Sequence, residues 1–85
     1  MTKVKDIKIY STATCAYCHA EKQFLNEHKI PFNEVMVDSD EKGLHELQDL
    51  SGQLGVPFTV ITKEDDTQEK VLGFDQPRLT AILDL

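Results

Sequence analysis

The first thirty residues combine a two-residue hydrophobic repeat with a helical one. Apolar and polar residues alternate over Ile7–Tyr10, which predicts a short half-buried strand. From about Cys15 to Lys29, apolar residues recur at three- and four-residue steps, as on one face of a helix. That face carries Ala20, Phe24, Leu25 and His28, and the polar face carries Glu21, Lys22 and Glu27. The helix is predicted to end before Pro31, because the residue preceding a proline avoids helical backbone angles.

The middle of the chain predicts a second strand, a second helix and a third strand. Phe32–Val37 ends in three consecutive apolar residues, which is typical of a strand covered on both faces. A helix is expected over about Glu41–Ser51, with Gly52 at its left-handed end. Its capping candidates are Asp38, Ser39 and Asp40, and its predicted buried stripe is Leu44, Leu47 and Leu50. After a loop at 53–57, Phe58–Thr62 predicts the third strand.

The last third of the chain predicts a hairpin and a closing helix. Lys63–Lys70 is polar and is predicted to be a long exposed hairpin loop. Val71–Leu72 then forms a fourth strand, antiparallel to the third. Gly73–Gln76 leads into a last helix that tolerates Pro77 in its first turn. The apolar face of this helix is Leu79, Ile82 and Leu83.

Together these elements predict a single α/β domain over residues 1–85 with the order βαβαββα. The first strand, helix and second strand imply a right-handed crossover and therefore a parallel strand pair. The expected architecture is a four-stranded mixed sheet flanked by three helices.

Charge and composition narrow the classes of partner. The 85 residues carry a net charge of −6, which argues against nucleic acid and anionic membranes, since both reward clustered basic residues. The sequence begins without the apolar run of a signal peptide and has no span of about 18 apolar residues. We therefore expect a cytoplasmic protein, and we expect it to be a monomer. In a reducing compartment a Cys-x-x-Cys pair is more often catalytic or metal-binding than structural.

The two cysteines of the chain, Cys15 and Cys18, lie where the first helix is predicted to begin. A helix N-terminus has unsatisfied N–H groups and about half a positive charge, which favours a thiolate there. Residues three apart share one helix face, so Cys18 can reach Cys15. This arrangement predicts redox chemistry in which Cys15 attacks a disulfide and Cys18 resolves the product.

Three other interpretations of the pair remain open at this point. The cysteines could form a structural disulfide or remain as inert buried thiols. A zinc site would need about four ligands, whereas Cys15, Cys18 and His19 are the three that cluster. Cys15–His19 also matches the Cys-x-x-Cys-His string of c-type haem attachment, although its flanks do not suit an exported helical protein. We expect no metal and no organic prosthetic group.

Three motifs, in this order and spacing, resemble the glutaredoxin family over nearly the whole chain. They are Cys15-Ala16-Tyr17-Cys18 after the first strand, Val56-Pro57 before the third, and Gly73-Phe74-Asp75 before the last helix. The resemblance implies a thioredoxin fold in which Pro57 is cis and faces the cysteines. It also implies that the Val56 backbone pairs with the cysteine of a bound glutathione or partner peptide. The implied binding positions are Thr12, Tyr17, Val56, Pro57, Gly73, Phe74, Asp75 and Gln76.

The chain departs from the family pattern at several of these positions. Ala16 replaces a proline after the first cysteine, and Gly55 replaces the threonine of a Thr-Val-Pro string. Thr12 stands where many members have a lysine that meets a glutathione carboxylate. Gln76 stands where many have a second aspartate that binds the γ-glutamyl end. Phe58 and the Gly-Phe-Asp-x-Pro string look more like the small glutaredoxin-like redoxins of bacteria, some of which draw electrons from thioredoxin reductase.

The predicted function is that of a small dithiol oxidoreductase, which reduces protein disulfides or glutathione mixed disulfides. Its expected partners are disulfide-containing or glutathionylated proteins. Its reductant is expected to be glutathione, as a co-substrate, or thioredoxin reductase. The alternative from another class is a redox-inert adaptor on the same fold that only binds a protein partner.

Overall fold

The computed structural model of the protein describes residues 4–53 and 55–85. It has the predicted order of elements, βαβαββα. The strands are β1 Val4–Ser11, β2 Asn33–Met36, β3 Phe58–Lys63 and β4 Gln68–Leu72. The helices are α1 Ala16–Glu27, α2 Glu41–Ser51 and α3 Gln76–Leu83. The predicted loop at 53–57 includes position 54, which lies outside the described residues. No helix within the described ranges combines the length and apolarity needed to cross a membrane.

The four strands form one mixed sheet in the order β2-β1-β3-β4. β1 is parallel to β2 and antiparallel to β3, which is in turn antiparallel to β4. These pairings confirm the predicted mixed sheet and its parallel pair. Tyr10 lies opposite Phe58, and Phe58 lies opposite Leu72. The carboxyl ends of β1, β2 and β4 therefore meet the amino end of β3 at one end of the sheet.

The two faces of the sheet pack against different helices, as alternation along the strands requires. One cluster joins Ile9 of β1 to Leu25 of α1 and Leu79 of α3. The other joins Tyr10 of β1 to Leu47 of α2. All five side chains are at most 1% exposed. The helices α1 and α3 thus cover one face, and α2 covers the other.

The periphery of the fold differs from the predictions in three places. β2 is an edge strand whose first two residues are exposed and whose Val35 and Met36 are half-buried, so the prediction of coverage on both faces is wrong. Leu50 remains 36% exposed because it lies in the last turn of α2, beyond the contact that Leu47 makes with the sheet. The predicted loop Lys63–Lys70 is shorter than expected: β3 continues through Lys63, and β4 already begins at Gln68.

The hairpin residues look like a loop in the sequence because their strand lies at the sheet edge. Gln68 and Lys70 are exposed, and Glu69 is within 4 Å of Lys63 and of Arg78. Charged residues on an edge strand also oppose pairing with another chain. A polar strand of this kind lacks the apolar alternation by which strands are recognised.

The start of α2 contains a glycine for a steric reason. Asp40 is the N-cap, and its Oδ1 accepts a hydrogen bond from the Gly43 N–H at 3.0 Å. Gly43 is buried against β2, and a Cβ atom at this position would lie 2.3 Å from Val35 Cγ1. The close approach of α2 to β2 therefore requires a residue without a side chain.

Glu21 is the main correction inside the fold. The helical repeat predicts that it lies on the polar face of α1, but its side chain is 0% exposed. Glu21 lies on the buried face of α1, together with Cys18 and Leu25. The Thr59 hydroxyl of β3 donates a hydrogen bond to Glu21 Oε2. Glu21 Oε1 is buried and has no hydrogen-bond partner. Burial, only partly offset by the Thr59 hydrogen bond, raises the pKa of Glu21 to about 7.

We predict that Glu21→Gln stabilises the fold at neutral and alkaline pH. The pKa of Glu21 is about 7 when folded and near its ordinary 4.5 when unfolded, so between these values only the folded state keeps the proton. Stability therefore falls as pH rises through this window. The variant should gain roughly 3 kcal/mol above the window and almost nothing below it. Urea unfolding at several pH values measures this; equal stability of the two proteins at about pH 8 would contradict it.

We predict that Gly43→Ala destabilises the protein although alanine is the better helix former. The helix-propensity gain is about 1 kcal/mol, whereas forcing a methyl group against Val35 should cost about 1–3 kcal/mol. In a Val35→Ala background the same substitution should be neutral or stabilising, because the opposing methyl group is gone. Urea unfolding of the four proteins completes the cycle, and a more stable Gly43→Ala single variant would refute the steric explanation.

Candidate active site

The two cysteines lie at the end of the sheet where β1 leads into α1. After Ser11 a short turn brings the chain to Cys15, which has extended backbone angles and is the N-cap of the helix. The helix itself begins at Ala16, in agreement with the predicted start. The buried strand thus fixes one end of the turn and the helix the other.

The two sulfur atoms have different surroundings. Cys15 is half-buried, and its Sγ accepts a hydrogen bond from the Cys18 N–H at 3.1 Å. Cys18 is 0% exposed. Both are free thiols. A negative charge on the Cys15 sulfur is stabilised by this N–H and by the helix N-terminus. The Cys15 sulfur is thus the more accessible of the two, and its role as the nucleophile stays a prediction.

Cys18 is held in its protonated form. Burial raises the pKa of the Cys18 thiol to about 12, and the hydrogen bond with Cys15 and the negative charges of Cys15 and Glu21 act in the same direction. A backbone hydrogen bond with Thr12 opposes these effects. At neutral pH the second cysteine is therefore a thiol that must lose its proton in order to react.

Two residues that the sequence analysis did not assign to the site hold the cysteine turn in place. His19 Nε2 donates a hydrogen bond to the Ala13 carbonyl at 2.8 Å, and the Ala13 N–H donates one to Asp38 Oδ2 at 3.0 Å. Asp38 follows β2, and the parallel β1–β2 pairing brings it beside the turn. The predicted parallel pairing of the first two strands could have indicated that Asp38 lies near the turn. Nothing in the sequence indicates the hydrogen bond between His19 and the Ala13 carbonyl.

The Val56–Pro57 segment lies at the same end of the sheet. The Val56–Pro57 peptide bond is cis, which confirms the expectation from the family resemblance. Val56 is half-buried and Pro57 is buried. The Pro57 carbonyl accepts a hydrogen bond from the Gly73 N–H at 2.8 Å, and Gly73 has a φ of 77°. Strand register and this bond bring two of the three sequence motifs together.

The residues after Gly73 connect the site to α3. The Phe74 ring lies 5.8 Å from the Phe24 ring of α1, so it fills the space between α1 and α3. Asp75 is the N-cap of α3, and its Oδ1 accepts a hydrogen bond from the Arg78 N–H at 3.2 Å. Gln76 is exposed and begins the helix. Phe24, Phe74 and Gln76 border a shallow groove of about 290 Å³.

The remaining predicted positions flank the cysteines. Tyr17, two residues after Cys15, is 70% exposed. Thr12 is half-buried at the start of the turn. The nearby cation Arg78, in α3, has its guanidinium 3.5 Å from a Glu69 carboxylate oxygen. Its charge is therefore already engaged.

The zinc interpretation gains no support from the geometry. Within residues 4–53 and 55–85, no three His, Cys, Asp or Glu side chains are grouped so that they could hold a metal ion. The His19 ring is directed to the Ala13 carbonyl.

Comparison with known proteins agrees with the motifs and the fold. The glutaredoxin family model matches residues 7–65, well over half of the chain. An uncharacterized glutaredoxin-like 8.6 kDa protein of the Clostridium pasteurianum rubredoxin operon is 36% identical over 92% of this chain and 97% of its own length. The glutaredoxin-like protein NrdH of Lactococcus lactis is 34% identical over 69% of this chain and 78% of its own length.

Solved structures give the same result for the fold. The crystal structure of the thioredoxin-like protein BC3987 is 27% identical and superposes with a TM-score of 0.79, covering 92% of this chain and 100% of that one. The four-stranded mixed sheet with its three helices is thus the thioredoxin fold. With the family match, the cis bond and the paired cysteines, the chain belongs to the glutaredoxin family.

Proposed function

We propose that this chain is a small dithiol oxidoreductase that reduces protein disulfides and glutathione mixed disulfides through Cys15 and Cys18. The observation that carries the proposal is the Cys18 N–H hydrogen bond to the Cys15 sulfur at the start of α1. It gives an accessible sulfur a stabilised negative charge and places a buried thiol directly behind it. Glutathione is the proposed co-substrate, and no metal or organic prosthetic group takes part. The proposed setting is the reducing cytoplasm.

The proposed reaction is a pair of thiol–disulfide exchanges. The Cys15 thiolate attacks one sulfur of the substrate disulfide, the other substrate sulfur leaves as a thiolate, and a mixed disulfide remains on Cys15. Cys18 then attacks the Cys15 sulfur, forms the Cys15–Cys18 disulfide and releases the second substrate thiol. The substrate gains two electrons, which the two cysteines supply. Two glutathione molecules, which leave as glutathione disulfide, or one reductase dithiol, which leaves as its own disulfide, return the protein to its reduced form.

The proposed docking surface surrounds Cys15. An extended peptide or glutathione can pair with the Val56 backbone in the manner of an added strand. Tyr17 offers an exposed aromatic ring on one side of Cys15. Both substrates present a disulfide within an extended backbone, so one surface serves both.

Charge at the site bears on which reductant is used. Glutathione carries two carboxylates and one ammonium group, but Thr12 and Gln76 are uncharged where many relatives have a lysine and an aspartate. Arg78 is engaged with Glu69, so it does not replace the lysine. A hydrogen bond to a charged group contributes about 1.5–3 kcal/mol, and an exposed ion pair about 0–1 kcal/mol. We therefore propose weak glutathione-dependent turnover, with a flavin-linked disulfide reductase such as thioredoxin reductase as the alternative electron source.

The two cysteines should be separable by single substitutions. Cys15→Ser should abolish reduction of both insulin and a glutathionylated peptide, because no accessible nucleophile remains. Cys18→Ser should lose insulin reduction, which needs internal resolution, and keep removal of glutathione, which needs Cys15 alone. Parallel turnover assays with both substrates measure this. Full insulin reduction by Cys18→Ser would refute the division of roles, and a wild type inactive in both assays would favour the redox-inert adaptor.

Adding the two charges that this chain lacks at Thr12 and Gln76 should strengthen glutathione binding. Combining Thr12→Lys with Gln76→Asp should lower the KM for a glutathionylated peptide by about tenfold to a hundredfold, since it adds two charged contacts. Thr67→Lys with Gln48→Asp makes the same change of charge on exposed residues of the hairpin turn and of α2, and it should leave the KM unchanged. The wild type could instead be saturated already at low substrate concentration, with a KM that the first pair of substitutions does not lower. That result would show that the uncharged residues Thr12 and Gln76 do not weaken glutathione binding.

A further inference from the structure

Glu21 is a buried carboxylate that the proposed exchange reaction does not use. It lies three residues after Cys18 on α1, and both side chains are 0% exposed. The Thr59 hydroxyl hydrogen-bonds to Oε2, whereas Oε1 is buried without a partner. An unpaired buried oxygen of a carboxylate is costly, and here it is an unused proton-acceptor position.

The helix places this acceptor beside the thiol that needs one. Side chains three residues apart on a helix face are neighbours, with Cβ atoms about 5–6 Å apart. The charge of Glu21 is among the influences that act on Cys18. Cys18 must lose a proton when it attacks the Cys15 sulfur, yet it has no contact with bulk solvent. A base inside the protein would solve this problem.

We infer that Glu21 is the general base of the resolving step. This inference rests on the proposed function. As Cys18 Sγ bonds to Cys15 Sγ, its proton passes to Glu21 Oε1, directly or through one water molecule. The bond between Cys15 Sγ and the substrate sulfur breaks, and the substrate leaves as a thiolate. When an external dithiol reduces the Cys15–Cys18 disulfide, Glu21 returns the proton to Cys18.

The surroundings of Glu21 leave it free for this exchange. On its own helix its charge acts on Cys18, and from β3 it accepts a hydrogen bond from the Thr59 hydroxyl. The charged groups on neighbouring elements are engaged elsewhere. Lys22 binds Glu34, Lys8 and Tyr10 bind Glu46, and Arg78 faces Glu69. Burial, which raises the pKa of Glu21 to about 7, leaves a substantial fraction of the carboxylate ionised at neutral pH.

A single-turnover experiment can separate the two exchanges. Excess aromatic disulfide with a coloured thiol product is mixed with the reduced protein, and thiol release is followed by stopped flow. The first phase reports the attack of Cys15, and the second reports resolution by Cys18. In the wild type the second-phase rate should rise with pH and level off above about pH 7. In Glu21→Gln it should be about a hundredfold slower at pH 7, a typical effect of losing a general base. It should continue to rise with pH, and the first phase should change less than twofold.

Three variants control the experiment. Cys18→Ser should show the first phase alone. Glu27→Gln removes an exposed carboxylate from the same helix and should leave both phases unchanged. Thr59→Val keeps the Glu21 carboxylate but removes the hydrogen bond that it accepts from Thr59. This hydrogen bond lowers the pKa of Glu21, so its loss should raise that pKa. The bend in the pH dependence of the second-phase rate should then move to higher pH.

The outcomes distinguish a failure of the proposed function from a failure of the role of Glu21. A wild type without a second phase would overturn the proposed function. The wild type could show both phases while Glu21→Gln has the same second-phase rate and the same bend in its pH dependence. That result would overturn the role of Glu21 and leave the proposed function intact. Equal slowing of both phases in Glu21→Gln would also overturn that role, because it would indicate a general structural effect.

Discussion

The antiparallel pairing of β1 with β3 is the constraint on which the site depends. Because Tyr10 lies opposite Phe58, the chain leaves β1 next to the Val56–Pro57 bond that leads into β3. The same register directs Ile9 to the cluster shared with α1 and α3 and Tyr10 to the cluster under α2. A slip of one residue would exchange the two faces of the strand. The packing of the core and the position of the cysteine turn are therefore fixed together.

The difference between the two cysteines follows from this placement. A helix that begins at the end of a buried strand leaves its N-cap near the surface and turns the residue three positions later toward the sheet. Cys15 consequently combines accessibility with a backbone hydrogen-bond donor, and Cys18 is enclosed. One turn of helix thus holds both an accessible sulfur and an enclosed thiol, as the proposed exchange reaction requires. The contacts of Ala13 with His19 and Asp38 keep the turn in the position that this geometry requires.

The sequence predicted those parts of the fold that local chemistry decides. The bounds of α2 follow from the Asp40 cap and the left-handed Gly52, and both are visible in the residues themselves. Of the predicted loop Lys63–Lys70, residues 64–67 connect the strands, whereas Gln68–Lys70 belong to β4, an edge strand that does not need an apolar face. The cis bond at Pro57 and the binding positions came from family resemblance, since no periodic pattern contains them. The cis bond is confirmed, whereas the binding roles remain predictions.

Glu21 was missed because a charged residue is ordinarily assigned to the solvent face of a helix, and only the packing of α1 shows otherwise. A structural link between α1 and Thr59 does not explain it, because an amide could accept the same hydrogen bond without the cost of a buried charge. Places where a sequence breaks a local rule without gaining stability are expected to be functional. The burial that keeps Cys18 protonated also raises the pKa of Glu21. When the Cys15–Cys18 disulfide forms, Cys18 can no longer hold a proton, and Glu21 is then the buried group next to it that can.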